Sequence, residues 1–171
     1  MWWRISLALA AIALAPVALA LPGDRDQPVY VEADTADLDE NTGIAIYRGS
    51  VLIKQGTMEI RGDEVTVTTR DRKFTSLTSI GKPAQFQQQL EEGQSPVLGD
   101  ALQIHYNAVE ATITLQEQAH LRRDEDEFHG NHIRYDTVAG TVKARRADDG
   151  SERIKIIIQP ETLQGEPAPA Q

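Results

Sequence analysis

The chain predicts an all-β fold, on three observations. Apolar and polar residues alternate with period two along most of its length, as at Val29/Val31, Ile44/Ile46, Val51/Ile53, Met58/Ile60, Val65/Val67, Ala84/Phe86, Leu102/Ile104/Tyr106, Ala111/Ile113/Leu115, Ala119/Leu121, Val142/Ala144 and Ile154/Ile156/Ile158. That period gives each strand one buried and one wet face. No window of helical length after residue 20 shows an apolar stripe of period 3.6. Turn signals separate the alternating runs: Glu40-Asn41-Thr42-Gly43, Arg48-Gly49-Ser50, Gln55-Gly56, Gly81-Lys82-Pro83, Ala139-Gly140 and Asp148-Asp149-Gly150. Ordinary strand lengths then predict about 12–16 short strands.

A quasi-repeat organises these strands. A small residue followed by Asp or Asn recurs at Ala33-Asp34, Gly62-Asp63, Gly99-Asp100 and Gly130-Asn131, with spacings of 29, 37 and 31 residues. Periods near thirty mark stacked architectures. The inward parity changes across these elements: Met58 and Ile60 precede one of them with one parity, and Val65 and Val67 follow it with the other. A change of parity means that the chain turns a corner and still faces the same core. Glycine tolerates the dihedrals of a corner, and Asp or Asn can bond nearby backbone. Asp63 and Asp100 therefore read as corner residues rather than catalytic acids. Each unit is expected to be a strand, a corner, a strand and a return. The polar stretch Gln87-Gln88-Gln89-Leu90-Glu91-Glu92-Gly93-Gln94-Ser95-Pro96 lengthens the middle spacing and reads as a loop.

The ends set the domain boundaries. Residues 1–20 open on Met1-Trp2-Trp3-Arg4, continue as an apolar run broken by Pro16, and end on Ala18-Leu19-Ala20. This is the pattern of a cleaved signal peptide and is short for a membrane span. One β domain is expected over 21–160, large enough for a core of its own. The tail 161–171, rich in Pro, Ala, Gln and Glu, is expected to be disordered. Cys is absent, so packing and the β ladder must hold the domain. The chain carries 17 Lys and Arg against 26 Asp and Glu, a net charge of −9, and loss of Arg4 with the leader makes it more negative. Nucleic acid is excluded as a partner for want of a basic footprint.

Nothing in the sequence assembles a catalytic centre. There is no Gly-x-Ser-x-Gly and no phosphate-cradling loop. His129 and His132 are three apart, which on a regular strand puts them on opposite faces, so they cannot share a metal unless Gly130 kinks the chain. His105 and His120 read as solvent-face residues. Asp124-Glu125-Asp126-Glu127 lacks the spaced ligands and glycine of a calcium loop and reads as an acidic hairpin tip, with a cation-binding module as the weaker reading. No cofactor, metal or catalytic residue is predicted. What remains is an interior lined by Val29, Val31, Leu38, Ile44, Ile46, Val51, Ile53, Met58, Ile60, Val65, Val67, Phe86, Leu102, Ile104, Tyr106, Ile113, Leu115, Leu121, Ile133 and Tyr135. Two readings are open: the dry core of a structural β-solenoid or sandwich module, or an apolar trough for acyl chains.

At this point the order of motifs carries a resemblance. Asp26-Gln27-Pro28-Val29-Tyr30-Val31-Glu32-Ala33-Asp34 is followed by Gly49-Ser50-Val51 with Gln55-Gly56-Thr57, then Ile60-Arg61-Gly62-Asp63-Glu64-Val65-Thr66-Val67, Gly81-Lys82-Pro83-Ala84-Gln85-Phe86, His105-Tyr106 and a final apolar strand near Ile154. This series resembles the periplasmic lipopolysaccharide transport protein A family (LptA, OstA-like) over nearly the whole of the expected mature chain. The acidic Asp124-Glu125-Asp126-Glu127 turn and a shorter, less basic tail depart from the family pattern.

The resemblance implies a single open, twisted β-jellyroll, a V-shaped ribbon of antiparallel strands with no enzymatic activity. It implies a periplasmic carrier that shields the lipid A acyl chains of lipopolysaccharide between inner and outer membranes. It also implies head-to-tail assembly, bridging an inner-membrane-anchored jellyroll partner and the jellyroll domain of an outer-membrane translocon. Matched motifs place Val29, Val31, Phe86 and Tyr106 in the groove, with Leu38, Ile44, Ile46, Val51, Ile53, Ile60, Val65, Val67, Leu102, Ile104, Ile113 and Leu115 as its further lining.

The last strand fits such an assembly on its own chemistry. Ile154, Ile156 and Ile158 lie in a segment with little edge protection and apolar residues on both faces. Pairing it with the Val29–Val31 edge of the next copy would continue the sheet by β-augmentation. Such contacts do not close on themselves and so make filaments.

Overall fold

The computed structural model describes residues 24–89, 95–147, 150 and 153–159. The expected leader 1–20 and tail 161–171 lie outside them. A short 3-10 helix (Asp24–Asp26) precedes ten strands: β1 (Val29–Glu32), β2 (Thr35–Asp39), β3 (Ile44–Gln55), β4 (Met58–Arg70), β5 (Lys73–Gln88), β6 (Val97–Asn107), β7 (Thr112–Arg123), β8 (Asp126–Asp136), β9 (Val142–Arg145) and β10 (Lys155–Ile157). All pairs are antiparallel, in the order β1-β3-β4-β5-β6-β7-β8-β10, with β2 also on β3 and β9 also on β8. The fold is an open, all-β antiparallel sheet: six long central strands flanked on each side by two short ones.

The expected corners are present; Ala33-Asp34 separates β1 from β2, but the other three do not end strands. The register slips in each long strand pair along a common seam: at 48–51 in β3, 61–64 in β4, 80–84 in β5, 100–103 in β6 and 116–119 in β7; the β4–β5 pair slips a second time at 68–69, near its turn. Gly62-Asp63 falls at this seam, Gly99-Asp100 at its border, and Gly130-Asn131 separates the parts of β8 that pair on either side of it. Gly49-Ser50 and Gly81-Lys82-Pro83, expected as turns between strands, are corners within β3 and β5. A bulge leaves only one or two residues unpaired, so the ladder resumes beyond it. Among the described residues ten strands, six of them 11–16 residues long, therefore stand where about 12–16 short ones were expected. β5 also runs on through Gln88, into the stretch expected to be a loop.

Local chemistry explains the seam. Ser50, Glu117 and Gln118 take positive φ there, as does Gly49. The Ser79 hydroxyl, fully buried, donates to the Arg61 carbonyl that the slip has released (3.0 Å). A Cβ on Gly62 would come within 2.2 Å of the Ser79 Oγ and 2.8 Å of the Ile80 carbonyl, so this approach requires glycine.

The seam divides the sheet into two arms, and the arms face each other. The first holds β1, β10 and residues 51–55, 58–61, 84–88, 97–100, 119–123 and 126–130. The second holds β2, β9 and residues 44–48, 64–70, 73–80, 103–107, 112–116 and 132–136. Gly99 belongs to the first arm, where it pairs with Leu121, yet a Cβ on it would lie 3.1 Å from Cδ1 of Leu115 in the second. The Arg123 guanidinium, at the end of β7, donates to the Gly140 carbonyl in the β8–β9 turn. One apolar cluster joins both arms. Next to the seam the inward row of the first arm is small, pairing Val51 with Gly62, Ala84 with Ala101 and Ala119 with Gly130, while that of the second arm is bulky, with Val65, Ile104, Leu115 and Ile133.

Candidate functional site

Two cross-strand rows line the interior, one on each arm. In the first arm the paired residues run Val31, Ile53, Ile60, Phe86, Gly99, Leu121, Phe128 and Ile156. In the second they run Leu38, Ala45, Val67, Leu77, Tyr106, Ile113, Tyr135 and Val142. Each strand contributes one residue, and every residue is apolar, aromatic or glycine. Strict period two within each arm and a parity reset at the seam produce this arrangement.

The middle of the rows is sealed and their ends are not. Val51, Ile53, Ile60, Val65, Val67, Phe86, Ile104, Tyr106, Ile113 and Leu115, all expected inside, are buried. Val31 is half-buried, while Val29 (37%) and Leu38 (67%), at the N-terminal edge, are exposed on the inward face. At the other edge Ile156, opposite Phe128, is 50% exposed. A cavity of about 870 Å³ opens beside the N-terminal edge, lined by Leu38, Ile44, Ala45, Tyr47 and Val67 together with the turns at 39–43 and 68–72.

Three of the expected lining residues need correction. Ile44 and Ile46 pair with Thr68 and Thr66 on the outer face, while Ala45 and Tyr47, opposite Val67 and Val65, turn inward. The corner at Gly49-Ser50 resets the parity of β3, and the sequence Ile-Ala-Ile-Tyr allows either alternation. Leu102 sits half-buried at the β6 corner, where Ala101 takes the fully buried position. Leu77 was missed because it lies in a Ser/Thr-rich run. Tyr47 was missed because the isoleucines beside it are the more hydrophobic pair.

Polar features mark the margins. The Asp24 carboxylate accepts from the Thr57 amide (2.7 Å), the Thr57 hydroxyl (2.8 Å) and Gln88 Nε2 (2.6 Å), tying the N-terminal segment to the tips of β4 and β5. The Tyr135 hydroxyl is buried among the apolar residues with no hydrogen-bond partner among the described residues, and burial raises its pKa above the ordinary value. On the outer face of the second arm the charges separate. The N-terminal edge carries Asp37 and Asp39, with Arg48 bridging Asp37 (2.6 Å) and Glu64 (2.8 Å); these two carboxylates hold the guanidinium charged. The C-terminal edge carries Arg134, Lys143 and Arg145 around a hollow of about 440 Å³ shared with His105 and His132. Asp39 caps its own turn, and the Asn41 amide followed by the Thr42 hydroxyl lowers its pKa.

His105 and His120 stand on the outer face as expected, but His129 and His132 do not lie on opposite faces. The Gly130-Asn131 corner puts both His129 and His132 on the outer face, on either side of the seam. His129 is instead the cross-strand neighbour of His120. The Thr78 hydroxyl meets His105 Nδ1 at 3.0 Å in a separate pair on the second arm.

A bent, open antiparallel sheet with an apolar interior running from edge to edge defines a jellyroll of the kind that can enclose elongated apolar ligands. The description "LptA/(LptD N-terminal domain) LPS transport protein" matches residues 30–141, and the chain belongs to that family. It is 37% identical over 151 residues to the lipopolysaccharide export system protein LptH of Pseudomonas aeruginosa, covering 84% of this chain and 86% of that one. It is 31% identical over 163 residues to the lipopolysaccharide export system protein LptA of Escherichia coli K12, covering 94% of this chain and 86% of that one. The crystal structure of the Pseudomonas aeruginosa LptH, described as the LptA-homologous periplasmic component of the lipopolysaccharide transport device, superposes with a TM-score of 0.75 at 36% identity, covering 81% of this chain and 100% of that one.

Proposed function

We propose that the protein is a non-enzymatic carrier that shields the acyl chains of lipopolysaccharide in the space between two membranes, working as one segment of a head-to-tail conduit. The observation that carries this reading is the pair of apolar rows that cross the sheet, one reaching exposed Leu38 at the N-terminal edge and the other exposed Ile156 at the C-terminal edge. A module whose only task was a dry core would gain nothing by leaving Leu38 and Ile156 in water. Each methylene moved from water into the interior contributes about 0.8 kcal/mol, so a few acyl chains supply ample gross affinity without help from net charge. The arms are continuous only through the seam. Parting them at the far side exchanges side-chain contacts for acyl contacts, apolar for apolar. The groove is accordingly assigned to Val31, Ile53, Ile60, Phe86 and Tyr106, with Val29 and Leu38 at its entrance.

The edges support assembly. Among the described residues β1 pairs only with β3 and β10 only with β8, so no described strand covers their other sides. Joining Val29 and Val31 of one copy to Ile154, Ile156 and Ile158 of the next covers both exposed ends and continues the rows. The acidic β2 edge and the basic β9 edge are complementary in the same head-to-tail sense. Partners of like fold at each end would be an inner-membrane-anchored jellyroll and the jellyroll domain of an outer-membrane translocon. Residues 1–20 serve as a leader removed on export to the periplasm, 21–160 form the lipid-binding domain, and 161–171 are a tail outside it.

Mass spectrometry of the protein purified without detergent from lipopolysaccharide-producing cells tests the carrier reading. Co-purified lipid A species are expected. Lipid-free protein that also fails to take up added lipopolysaccharide would favour the dry-cored interaction module.

A further inference from the structure

On the outer face of the first arm, one strand in from the C-terminal edge, two imidazoles and a carboxylate converge. His120 of β7 and His129 of β8 are register partners, with rings stacked at 4.3 Å and 9° between their planes. Glu127 lies two residues along β8 on the same face, its Oε2 3.4 Å from His129 Nε2. One ligand atom from each of the three residues lies within 4.8 Å of the other two. Opposite His120 on β6, Asp100 Oδ1 sits 3.1 Å from His120 Nδ1. The His120 Nε2 is buried and has no hydrogen-bond partner among the described residues.

We propose that His120, Glu127 and His129 bind a divalent transition-metal ion, with Asp100 positioning His120. The carboxylate of Asp100 accepts the Nδ1 proton and so fixes the tautomer that leaves Nε2 bare, the arrangement in which a second carboxylate orients a metal-bound imidazole. Tetrahedral bonds of about 2.0–2.2 Å place donors about 3.3 Å apart. The three ligands reach that spacing by turning about the soft ring and carboxylate torsions. Two imidazole nitrogens and one carboxylate oxygen, with a position left for water, suit Zn²⁺, Co²⁺ or Ni²⁺ rather than Ca²⁺ or Mg²⁺, which take oxygen ligands. Charge around the site balances: Asp100 and Glu127 offset Arg122, which pairs across from Glu127, and Lys155, which pairs across from His129 on β10. A bound ion clamps β7 to β8 directly beside the edge strand β10. The inference does not depend on what the interior carries.

Untagged, chelator-treated protein titrated with ZnCl₂ in a calorimeter, and with CoCl₂ by visible absorption, tests it. One saturable site per chain is expected, with the absorption bands of a nitrogen- and oxygen-ligated Co²⁺ and no competition from Ca²⁺ or Mg²⁺. His129→Gln should weaken binding at least tenfold. Asp100→Asn, which removes no ligand, should weaken it about tenfold. Circular dichroism without metal confirms that each variant is folded, and His120→Gln stands in if His129→Gln is not. The absence of saturable binding, or binding unchanged in a folded His129→Gln or His120→Gln protein, would overturn the assignment.

Discussion

On the central strands, inward Ile53, Ile60, Ile104, Ile113 and Leu115 are fully buried, whereas on the edge strands inward Val29, Leu38 and Ile156 keep between a third and two thirds of their surface in water. Both sets lie on one face of one sheet and follow the same alternation. The difference is what covers them. Each central strand has a hydrogen-bonded neighbour on both sides and the opposite arm above it; an edge strand has a neighbour on one side only. In the proposed assembly the exposed ends are unfinished parts of the same interior, and a second copy of the chain would supply the missing neighbour. The two edges also differ from each other, since the N-terminal one is acidic at Asp37 and Asp39 and the C-terminal one basic at Lys143 and Arg145.

This contrast can be broken in stages. Leu115→Ala, in the sealed middle, should destabilise the protein by about 2–5 kcal/mol in urea denaturation while leaving the order of assembly unchanged. Ile156→Asp with Ile158→Asp, at the edge, should do the reverse. Stability should change by less than about 1 kcal/mol, as befits exposed positions, and light scattering should show monomers at concentrations where the parent chain is oligomeric. Lys143→Glu with Arg145→Glu should weaken assembly more modestly and remove part of its salt dependence, and Asp37→Lys with Asp39→Lys in the opposing copy should restore mixed oligomers.

The smallest effect concerns Tyr135. Its buried hydroxyl has no partner among the described residues, so Tyr135→Phe should stabilise the fold by about 1 kcal/mol. Burial raises the phenol pKa. Below the ordinary tyrosine range both folded and unfolded chains keep the proton, and this group gives stability no slope. As pH rises above about 10 the unfolded chain ionises first and stability falls. Thermal melts across that range should show a shallower decline for Tyr135→Phe.

Much of this design is legible in the sequence because period two and small-Asp corners are local signals. The corners at Gly62-Asp63, Gly99-Asp100 and Gly130-Asn131 lie where the parity change puts them. What escaped depends on pairing between distant residues. Whether a corner ends a strand or bends it depends on the ladder resuming beyond it, and that cannot be seen in one strand. Ile44-Ala45-Ile46-Tyr47 offers two plausible inward faces, and only its register against Val65 and Val67 decides for Ala45 and Tyr47. The His120–His129 pair is invisible for the same reason: the two residues are nine apart in sequence and meet across the β7–β8 hairpin.

The central claim is that the inward rows are one continuous acyl path with open ends. Its most direct test places a photo-crosslinking residue in turn at Leu38, Phe128 and Ile156 on the inward face, and at Thr66 and Thr78 on the outward face, in cells making lipopolysaccharide. Labelling of lipopolysaccharide from all three inward positions and from neither outward one is the predicted result. Labelling that is equal on the two faces, or absent from the inward positions, would contradict it.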